Sequence, residues 1–328
     1  MNFTDRLIGA ILAKKSYLCV GLDPQLRYFP PHLLKYWGQS ESGSVFNICA
    51  EAILDFNKTI INATIESAPC YKPQRAFYEK YGSPGIRAFE LTVKYIHAEG
   101  ALAIEDAKRE DGGDTAEAYA DGHLGKVEII TPQGELALTT SPNDVDAMTV
   151  TNWIDGPMLD PFVKVVKDND KGIFVVVKTS FKPESRYQEM MDANGVKSWV
   201  KMANAIAELG KDVIGERGYS SIGVVMGATY PDEAEMMRNL VPMAFKLVPG
   251  FGFQGAGPND AVVSINSDGL GIIVNNSRGT NYAWHPKFKS EFQCDPRYYA
   301  NAAARESEKA RKALNDAVKK KNGFLPWE

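Results

Sequence analysis

The chain has 328 residues, of which 44% are hydrophobic and 24% are charged, as in a globular protein with room for one large α/β domain or two smaller ones. The formal net charge of −4 excludes the strongly basic surface that nucleic-acid binding requires. No apolar run approaches the roughly 20 residues that a membrane-spanning helix needs.

The amino-terminal stretch MNFTDRLIGAILAKK is predicted to form an amphipathic helix rather than a signal peptide, because Asp5 and Arg6 precede its short apolar core. The cysteines lack CxxC spacing and are typical of reduced thiols in a cytoplasmic protein. They are Cys19, Cys49, Cys70 and Cys294. The histidines show no spacing typical of metal ligands, so no metal site is predicted.

Short apolar runs alternate with helix-like segments along the rest of the chain. Eight runs are predicted as strands: 16–22, 68–73, 101–107, 146–152, 173–179, 221–227, 244–249 and 271–276. The helix-like segments include 46–64, 84–100, 198–214 and a last helix over 298–321. This alternation indicates a parallel sheet, and eight units over this length fit a closed (β/α)₈ TIM barrel better than an open doubly wound sheet.

One segment interrupts the alternation. GKVEIITPQGELALTTS (125–141) reads as two strands around Pro132-Gln133-Gly134, which predicts a β-hairpin inserted after the third βα unit. No long linker rich in Ser, Pro or Gly divides the chain, so residues 1–328 are predicted to form a single barrel domain.

Functional side chains of a barrel are expected where strands end and βα loops begin. Polar residues stand at these places: Asp23, Lys72, Asp106, Lys108, Asn152, Ser180, Thr229, Ser277 and Arg278. The simpler explanation is that strand ends are polar because loops are polar. That explanation accounts for Asn152 and Ser180, but less well for the charged residues of the first three units.

The segment AIEDAKREDGGDT (103–115) runs from a predicted buried strand into what reads as a glycine-loosened loop. Asp106 and Lys108 are two residues apart and share a face of a regular strand, and Lys72 is expected on the neighbouring strand. Asp111 lies in the following loop, where it can fold back or reach a second subunit. Alternating acids and bases let several charges share a partly desolvated site. The alternative is a salt-bridge network on the surface.

The stretch PGFGFQGAG (249–257) contains Gly250, Gly252 and Gly255 in a GxGxxG pattern, which alone is a weak signal. It follows the seventh predicted strand, where barrels often bind phosphate through backbone N–H groups. Arg278, after the eighth strand, could add a bidentate contact to phosphate. The alternative is a flexible loop with an arginine facing solvent.

Taken together, these motifs resemble the orotidine 5′-monophosphate decarboxylase family, in its longer subgroup, over nearly the whole chain. The matching stretches are CVGLDP (19–24), YKPQRAFYEKYG (71–82), DAKREDGGDTAEAYA (106–120), GATYPDE, VPGFGFQG and NNSRG. The DxKxxD signature alone is shared with related phosphosugar enzymes, but its combination with KPQxAFY and the late phosphate motifs is specific.

The resemblance implies that Lys72, Asp106, Lys108 and Asp111 form the family's alternating charged tetrad. Asp111 and Thr115 are then expected to enter the active site of a partner subunit, which makes a homodimer necessary for activity. The implied reaction converts orotidine 5′-monophosphate into UMP and carbon dioxide, the last step of pyrimidine biosynthesis, without a metal or organic cofactor.

The same resemblance implies contacts for the rest of the substrate. Asp23 and Lys72 are expected to hold ribose hydroxyl groups, and Ser180 is expected to meet the pyrimidine edge. Gln254 is expected to bridge toward the phosphate, which Arg278 binds.

The chain departs from the family pattern at four places, none of which removes a charged residue of the tetrad. Gly112-Gly113-Asp114 stands where the family often has Ile-Gly, and Asn152-Trp153-Ile154 stands where Asn-Pro-Tyr is more common. Phe181 follows Ser180 in place of Asn, and Glu105 occupies a position that is more often apolar.

Three other functions fit parts of the pattern. A Schiff-base aldolase needs a neutral lysine, whereas the acids that flank Lys108 favour its charged form. A magnesium-dependent phosphosugar decarboxylase or aldolase could hold a cation with Asp106 and Asp111, although the ammonium group of Lys108 competes for that space. A non-catalytic nucleotide-binding protein needs the phosphate loop but not the tetrad.

Overall fold

The computed structural model describes residues 1–41, 43–153 and 156–328. Strands in these ranges are β1 Leu18–Leu22, β2 Cys70–Pro73, β3 Leu102–Arg109, β4 Lys126–Ile130, β5 Leu136–Thr140, β6 Ala147–Val150, β7 Gly172–Lys178, β8 Ser220–Met226, β9 Ala244–Val248 and β10 Ile272–Asn276. Eight of them are parallel and close into a barrel in the order β1-β10-β9-β8-β7-β6-β3-β2, with β2 paired to β1. The predicted (β/α)₈ barrel is confirmed.

Helices cover the outside of the barrel. Within the described ranges they are α1 Phe3–Lys14, α2 Pro31–Gly38, α3 Val45–Thr64, α4 Ala76–Glu79, α5 Gly82–Ala98, α6 Gly113–His123, α7 Asp160–Asn169, α8 Ser198–Leu209, α9 Pro231–Leu240, α10 Pro258–Ala261, α11 Arg278–Asn281 and α12 Tyr299–Asn322. Over the same ranges, none combines the length and the apolar character of a membrane span.

The barrel strands are apolar because both of their faces are buried, one against the barrel interior and the other against the helices. Every residue of β7 (GIFVVVK) and of β8 (SSIGVVM) is buried. Their β-branched residues suit the pleated backbone. Continuous apolar runs, rather than alternating ones, therefore mark these strands in the sequence.

Helix α1 lies across the amino-terminal ends of β6, β7 and β8. Phe3 packs edge-on against Phe174 with ring centroids 5.9 Å apart, and Thr4 Oγ1 lies 3.1 Å from Ser221 Oγ. The Asp5 carboxylate accepts hydrogen bonds from two backbone N–H groups of the turn before β8. These contacts close the end of the barrel opposite to the one where the predicted functional residues lie.

The predicted hairpin is present after α6. β4 and β5 pair antiparallel, and Gly134 has the positive φ of 82° that its turn requires. Ile130, Leu136 and Leu138 are exposed on this hairpin.

Two predicted boundaries are wrong. The glycine-loosened loop is shorter than expected, because α6 already begins at Gly113, with Asp114 in its first turn and alanines at Ala116 and Ala120 that pack inward. The helix predicted over 198–214 changes to a 3₁₀ turn over Gly210–Val213. Of the departures from the family pattern, Ile154 lies outside the described residues.

Candidate active site

A cavity of about 250 Å³ opens at the carboxyl-terminal end of the barrel. Nine of the residues predicted from sequence line it: Asp23, Lys72, Asp106, Lys108, Ser180, Gly250, Gln254, Ser277 and Arg278. They come from six different strands or the loops that follow them, and the closed barrel brings them together. The rim of the cavity is aromatic, with Phe77, Phe181, Phe251 and Phe253.

Asp106 lies between two lysines at the centre of the charged group. Its Oδ2 accepts a hydrogen bond from Lys72 Nζ at 2.7 Å, and its Oδ1 accepts one from Lys108 Nζ. Lys72 ends β2 and Asp106 lies on the neighbouring β3, as the sequence predicts. The predicted cluster therefore exists within one subunit for three of its four members.

The two lysines control the ionisation of this aspartate. Burial acts to raise the pKa of Asp106, but the Lys72 and Lys108 ammonium groups outweigh burial and hold that pKa well below its usual range. Burial acts to lower the pKa of Lys72, yet the carboxylates of Asp106 and Asp23 reverse this and raise it. Lys72 and Asp106 are therefore both charged at neutral pH.

Lys108 reaches Asp106 by a different route from the one predicted. The register between β3 and β6 shifts between Glu105 and Arg109, and Lys108 has a φ of 50°, in the left-handed region. The prediction that side chains alternate regularly along β3 is therefore wrong at this point. The bulge, rather than the spacing of two residues, aims the side chain of Lys108 into the cavity.

Thr149 on β6 is a site residue that the sequence analysis missed. Its hydroxyl donates to Asp106 Oδ1 at 3.0 Å and accepts from the Lys108 backbone N–H at 3.1 Å. Asn152 was noted at the end of this strand as a polar residue that loop polarity explains, and it does not line the cavity in the described part of the chain. The signal available in the sequence was that Thr149 is a polar residue inside the otherwise apolar run AMTV.

Asp23 follows β1 and lies deep in the cavity. Burial raises its pKa, and the Lys72 ammonium opposes that rise. Its Oδ1 is buried without a hydrogen-bond partner in the described structure, and an unpaired buried oxygen is costly. This oxygen is therefore available to accept a hydrogen bond from a ligand hydroxyl group.

Ser180 and Gln254 are in contact, although they follow different strands. Ser180 Oγ donates to Gln254 Oε1 at 2.8 Å, and the Ser180 carbonyl accepts from Thr229 Oγ1 at 3.0 Å. These bonds link the loops after β7, β8 and β9 on one side of the cavity. Phe181, which departs from the family pattern, is 69% exposed at its mouth.

The glycines of the loop after β9 serve mainly its backbone conformation. Gly250, Gly252 and Gly255 have φ values of 104°, 74° and 100°, which residues with side chains rarely adopt. The N–H groups of Gly252, Gly255 and Ala256 donate to carbonyls of the same loop. These three amides are already used, and only Gly250 of the three predicted glycines lines the cavity.

Arg278 stands at the start of α11 on the opposite side of the same loop. Its guanidinium lies 4.3 Å from the centre of the Phe253 ring, and Phe253 in turn packs against Phe288. Arg278 forms no salt bridge with any residue that the structure describes. Its charge is therefore oriented by an aromatic ring and remains available to an anion.

Asp111 and Thr115 lie away from this group. Asp111 Oδ1 accepts a hydrogen bond from the N–H of Gly112 at 2.8 Å, and neither Asp111 nor Thr115 is among the described residues that line the cavity. Thr115 is exposed in the first turn of α6. Asp111 forms no salt bridge with Lys108 in the described structure, so the prediction that it folds back onto this group is not supported.

The described ranges contain no group of three or more His, Cys, Asp or Glu side chains that could hold a metal ion.

Comparison with known proteins identifies relatives that cover most of the chain. The family described as orotidine 5′-phosphate decarboxylase / HUMPS matches residues 16–274. A protein of Rhodopirellula baltica named orotidine 5′-phosphate decarboxylase is 37% identical over 283 residues, which cover 86% of this chain and 89% of the relative. One of Clostridium novyi with the same name is 34% identical over 280 residues, covering 85% and 88%.

Solved structures agree with these relatives. A putative orotidine-monophosphate decarboxylase from Toxoplasma gondii superposes with a TM-score of 0.76 at 27% identity and covers 98% of both chains. A putative orotidine 5′-phosphate decarboxylase from Streptomyces avermitilis gives a TM-score of 0.71 at 30% identity and covers 96% of both. On the extent of these matches and the fold, the chain belongs to the orotidine 5′-phosphate decarboxylase / HUMPS family.

Proposed function

We propose that this protein decarboxylates orotidine 5′-monophosphate to UMP and carbon dioxide, the final step of pyrimidine biosynthesis. Its relatives are named for this activity. The observation that carries the proposal is the array of Lys72, Asp106 and Lys108 inside the cavity at the carboxyl end of the barrel. A fixed row of alternating charges suits a reaction in which charge develops on one carbon of the substrate.

Lys108 is assigned the central role. When the bond between C6 of the pyrimidine and its carboxylate breaks, carbon dioxide leaves and the electron pair stays on C6. A cation fixed beside C6 stabilises that charge as it develops, and such preorganised charge is usually the largest catalytic contribution. The Lys108 ammonium then gives its proton to C6, forming the C–H bond of UMP, and recovers a proton from solvent.

The remaining cavity residues are assigned to substrate binding. The unpartnered Oδ1 of Asp23 and the Lys72 ammonium are suited to ribose hydroxyl groups. The linked pair of Ser180 and Gln254 is suited to the pyrimidine edge and to the space toward the phosphate. Arg278 is suited to the phosphate itself, as a charged donor without a carboxylate partner.

We also propose that the active protein is a homodimer whose subunits share their active sites. Asp111 does not line its own subunit's cavity, and Thr115 is exposed in the first turn of α6. In a two-fold dimer, Asp111 and Thr115 of one subunit would approach Lys108 of the other. Asp106 and the second carboxylate would then hold the Lys108 ammonium from two sides.

Mixing two inactive variants tests the shared site. Lys108→Ala and Asp111→Ala are each expected to be nearly inactive alone. In a random mixture, half of the dimers combine the two chains and carry one intact site, so about a quarter of the unmodified activity is expected to return. No recovery after subunit exchange, with exchange verified by mass, would contradict a shared site.

The reaction itself is tested by the ultraviolet absorbance of orotidine 5′-monophosphate, which changes as it becomes UMP. Purified protein is expected to turn the substrate over equally with and without EDTA. A magnesium-dependent phosphosugar decarboxylase or aldolase, the alternative function, would lose activity with EDTA. Both oxygens of Asp106 already accept hydrogen bonds from ammonium groups, which disfavours a cation at that carboxylate.

The whole chain is proposed to act as one barrel domain without a cofactor. A cytoplasmic location is proposed from the pathway and from the four free cysteines.

A further inference from the structure

A chain of five charged or ionisable side chains runs along the outer side of β3, behind the cavity. His123 Nδ1 donates to Glu105 Oε2 at 2.7 Å, and Arg75 Nη1 donates to Glu105 Oε1 at 3.1 Å. Arg75 Nε also donates to Glu79 Oε1 at 3.3 Å, and Arg109 Nη2 donates to the same oxygen. We call His123, Glu105, Arg75, Glu79 and Arg109 the outer ion-pair chain.

Its buried end is costly to maintain. Glu105 has no exposed surface, and Arg75 and His123 are also buried. Replacing such a buried set by apolar side chains of similar volume is often neutral or stabilising, so stability alone gives little reason for it. The outer ion-pair chain is therefore better explained by a requirement for a particular backbone geometry in β3.

The outer ion-pair chain includes two residues of β3, Glu105 and Arg109, and the bulge lies between them. Glu105 pairs with Met148 of β6, and Arg109 pairs with Val150. Between these two points β3 advances by four residues while β6 advances by two, so β3 must bulge outward from regular pairing. Asp106 and Lys108 lie in this interval, and Lys108 takes up its left-handed backbone conformation there.

The outer ion-pair chain also connects the segments that carry the other residues of the proposed site. Arg75 lies three residues after Lys72, and its backbone N–H donates to the Asp106 carbonyl at 3.2 Å. His123 ends α6, the helix that begins just after Asp111. One connected set of side chains thus ties together β2, β3 and α6.

We infer that the outer ion-pair chain positions Lys108 for the proposed reaction by clamping both ends of the β3 bulge. Glu105 holds one end through Arg75 and His123, and Arg109 holds the other through Glu79. If either end is released, β3 can relax toward regular pairing with β6, and Lys108 Nζ moves away from Asp106. These five are positioning residues, because none of them lines the cavity in the described structure. The inference rests on the proposed decarboxylase function.

Steady-state kinetics on orotidine 5′-monophosphate test this inference with Glu105→Gln and Arg109→Gln. A displacement of about 1 Å at a catalytic group can cost about 100-fold, so kcat is expected to fall about 10- to 100-fold in each variant. KM is expected to change little, because the proposed substrate-binding residues Asp23 and Arg278 follow other strands, β1 and β10. Arg109→Lys retains the charge that pairs with Glu79 and is expected to recover most of the kcat lost in Arg109→Gln.

Asp146→Asn is the matched control. Asp146 is also a buried carboxylate that contacts an arginine and a histidine, Arg6 and His97, but it lies at the amino-terminal end of the barrel. Asp146→Asn is expected to lower Tm as Glu105→Gln does, while its kcat stays close to that of the unmodified protein.

The outcomes are separable. Unmodified kcat in both Glu105→Gln and Arg109→Gln overturns the inference, and so does an equal loss of kcat in Asp146→Asn. Equal rates for Arg109→Lys and Arg109→Gln would show that the charge at this end does not hold Lys108. If Glu105→Gln does not fold, the Arg109 variants still test the inference, because Arg109 lies at the more exposed end of the outer ion-pair chain. Absence of turnover by the unmodified protein would instead refute the proposed function itself.

Discussion

Two buried lysines on the same barrel have opposite electrostatic environments. Lys72 on β2 faces the cavity and is 5% exposed, and Lys246 on β9 has no exposed surface. Lys72 lies beside the carboxylates of Asp106 and Asp23. Lys246 Nζ donates to an amide oxygen, Asn266 Oδ1, at 3.2 Å, and no salt bridge to it is found in the described ranges.

The pKa values of the two lysines diverge accordingly. Burial lowers the pKa of Lys246 to about 7, while the carboxylates near Lys72 more than offset burial and raise its pKa. Burial alone therefore does not decide whether a lysine of this barrel is charged. A direct salt bridge decides it: Lys72 has one with Asp106, and Lys246 has none within the described ranges.

The largest expected effect comes from Lys72→Met, which removes a cation from the cavity. Asp106 keeps Lys108 as a partner but loses its hydrogen bond to Lys72, so the preorganised charge of the site is disrupted. We expect kcat/KM for orotidine 5′-monophosphate to fall by about 10²- to 10³-fold, the range for removing one preorganised charge or donor. The matched change Lys246→Met is expected to leave kcat/KM unaltered, and a comparable loss there would contradict the distinction between the two lysines.

Arg278→Ala extends the comparison to a cation that contacts an aromatic ring. Loss of a charge-assisted hydrogen bond to phosphate is expected to weaken transition-state binding by about 1.5–3 kcal/mol. Steady-state kcat/KM measures this loss. Arg87→Ala, which removes an exposed arginine paired with Glu90 on α5, is the control and should change nothing. An unaltered kcat/KM in Arg278→Ala would remove the phosphate assignment.

Asp146 supplies the reverse case, a buried carboxylate among cationic partners. Burial acts to raise its pKa, but its hydrogen bond to His97, the charge of Arg6 and the Ala103 N–H lower it to about 2. The lowered pKa means that the ionised form stabilises the folded state above about pH 4 and that this stability is lost as the pH falls through 2.

We therefore expect Asp146 to contribute about 2 kcal/mol to the free energy of unfolding at neutral pH. Urea unfolding between pH 5 and pH 2 should show a smaller acid dependence in Asp146→Asn than in the unmodified protein. Equal slopes in the two proteins would contradict the electrostatic explanation.

The smallest expected effect on activity is that of Lys246→Met, which should change the pH dependence of stability instead. The folded-state pKa of about 7 lies below the unfolded value, so the unfolded state binds more protons between pH 7 and about pH 10. The stability of the unmodified protein should therefore rise with pH through that interval. Lys246→Met lacks this titration, so its stability advantage over the unmodified protein should be largest near pH 7 and should shrink toward pH 10. Chemical denaturation at several pH values measures it, and an advantage that stays constant with pH would contradict the assigned pKa.

The sequence analysis was accurate where burial follows from local pattern. The apolar runs predicted the barrel strands to within a few residues, and the polar residues at the strand ends predicted the charged lining of the cavity, including Lys72 and Asp106. It failed where an interaction depends on register between strands. Thr149 was missed, because a period of two residues cannot say where β6 leaves the barrel.

By itself, the sequence determined the (β/α)₈ barrel, the resemblance to the decarboxylase family and the set of charges at the strand ends, since these depend on hydrophobic periodicity and on residue types at short spacing. Only the tertiary structure decided that Lys108 reaches Asp106 through a bulge and that Asp111 lies outside its own cavity. It also decided that Lys246 is buried without a salt bridge to any residue that the structure describes. Each of these depends on contacts between residues far apart in the chain, and strand register and helix packing set those contacts.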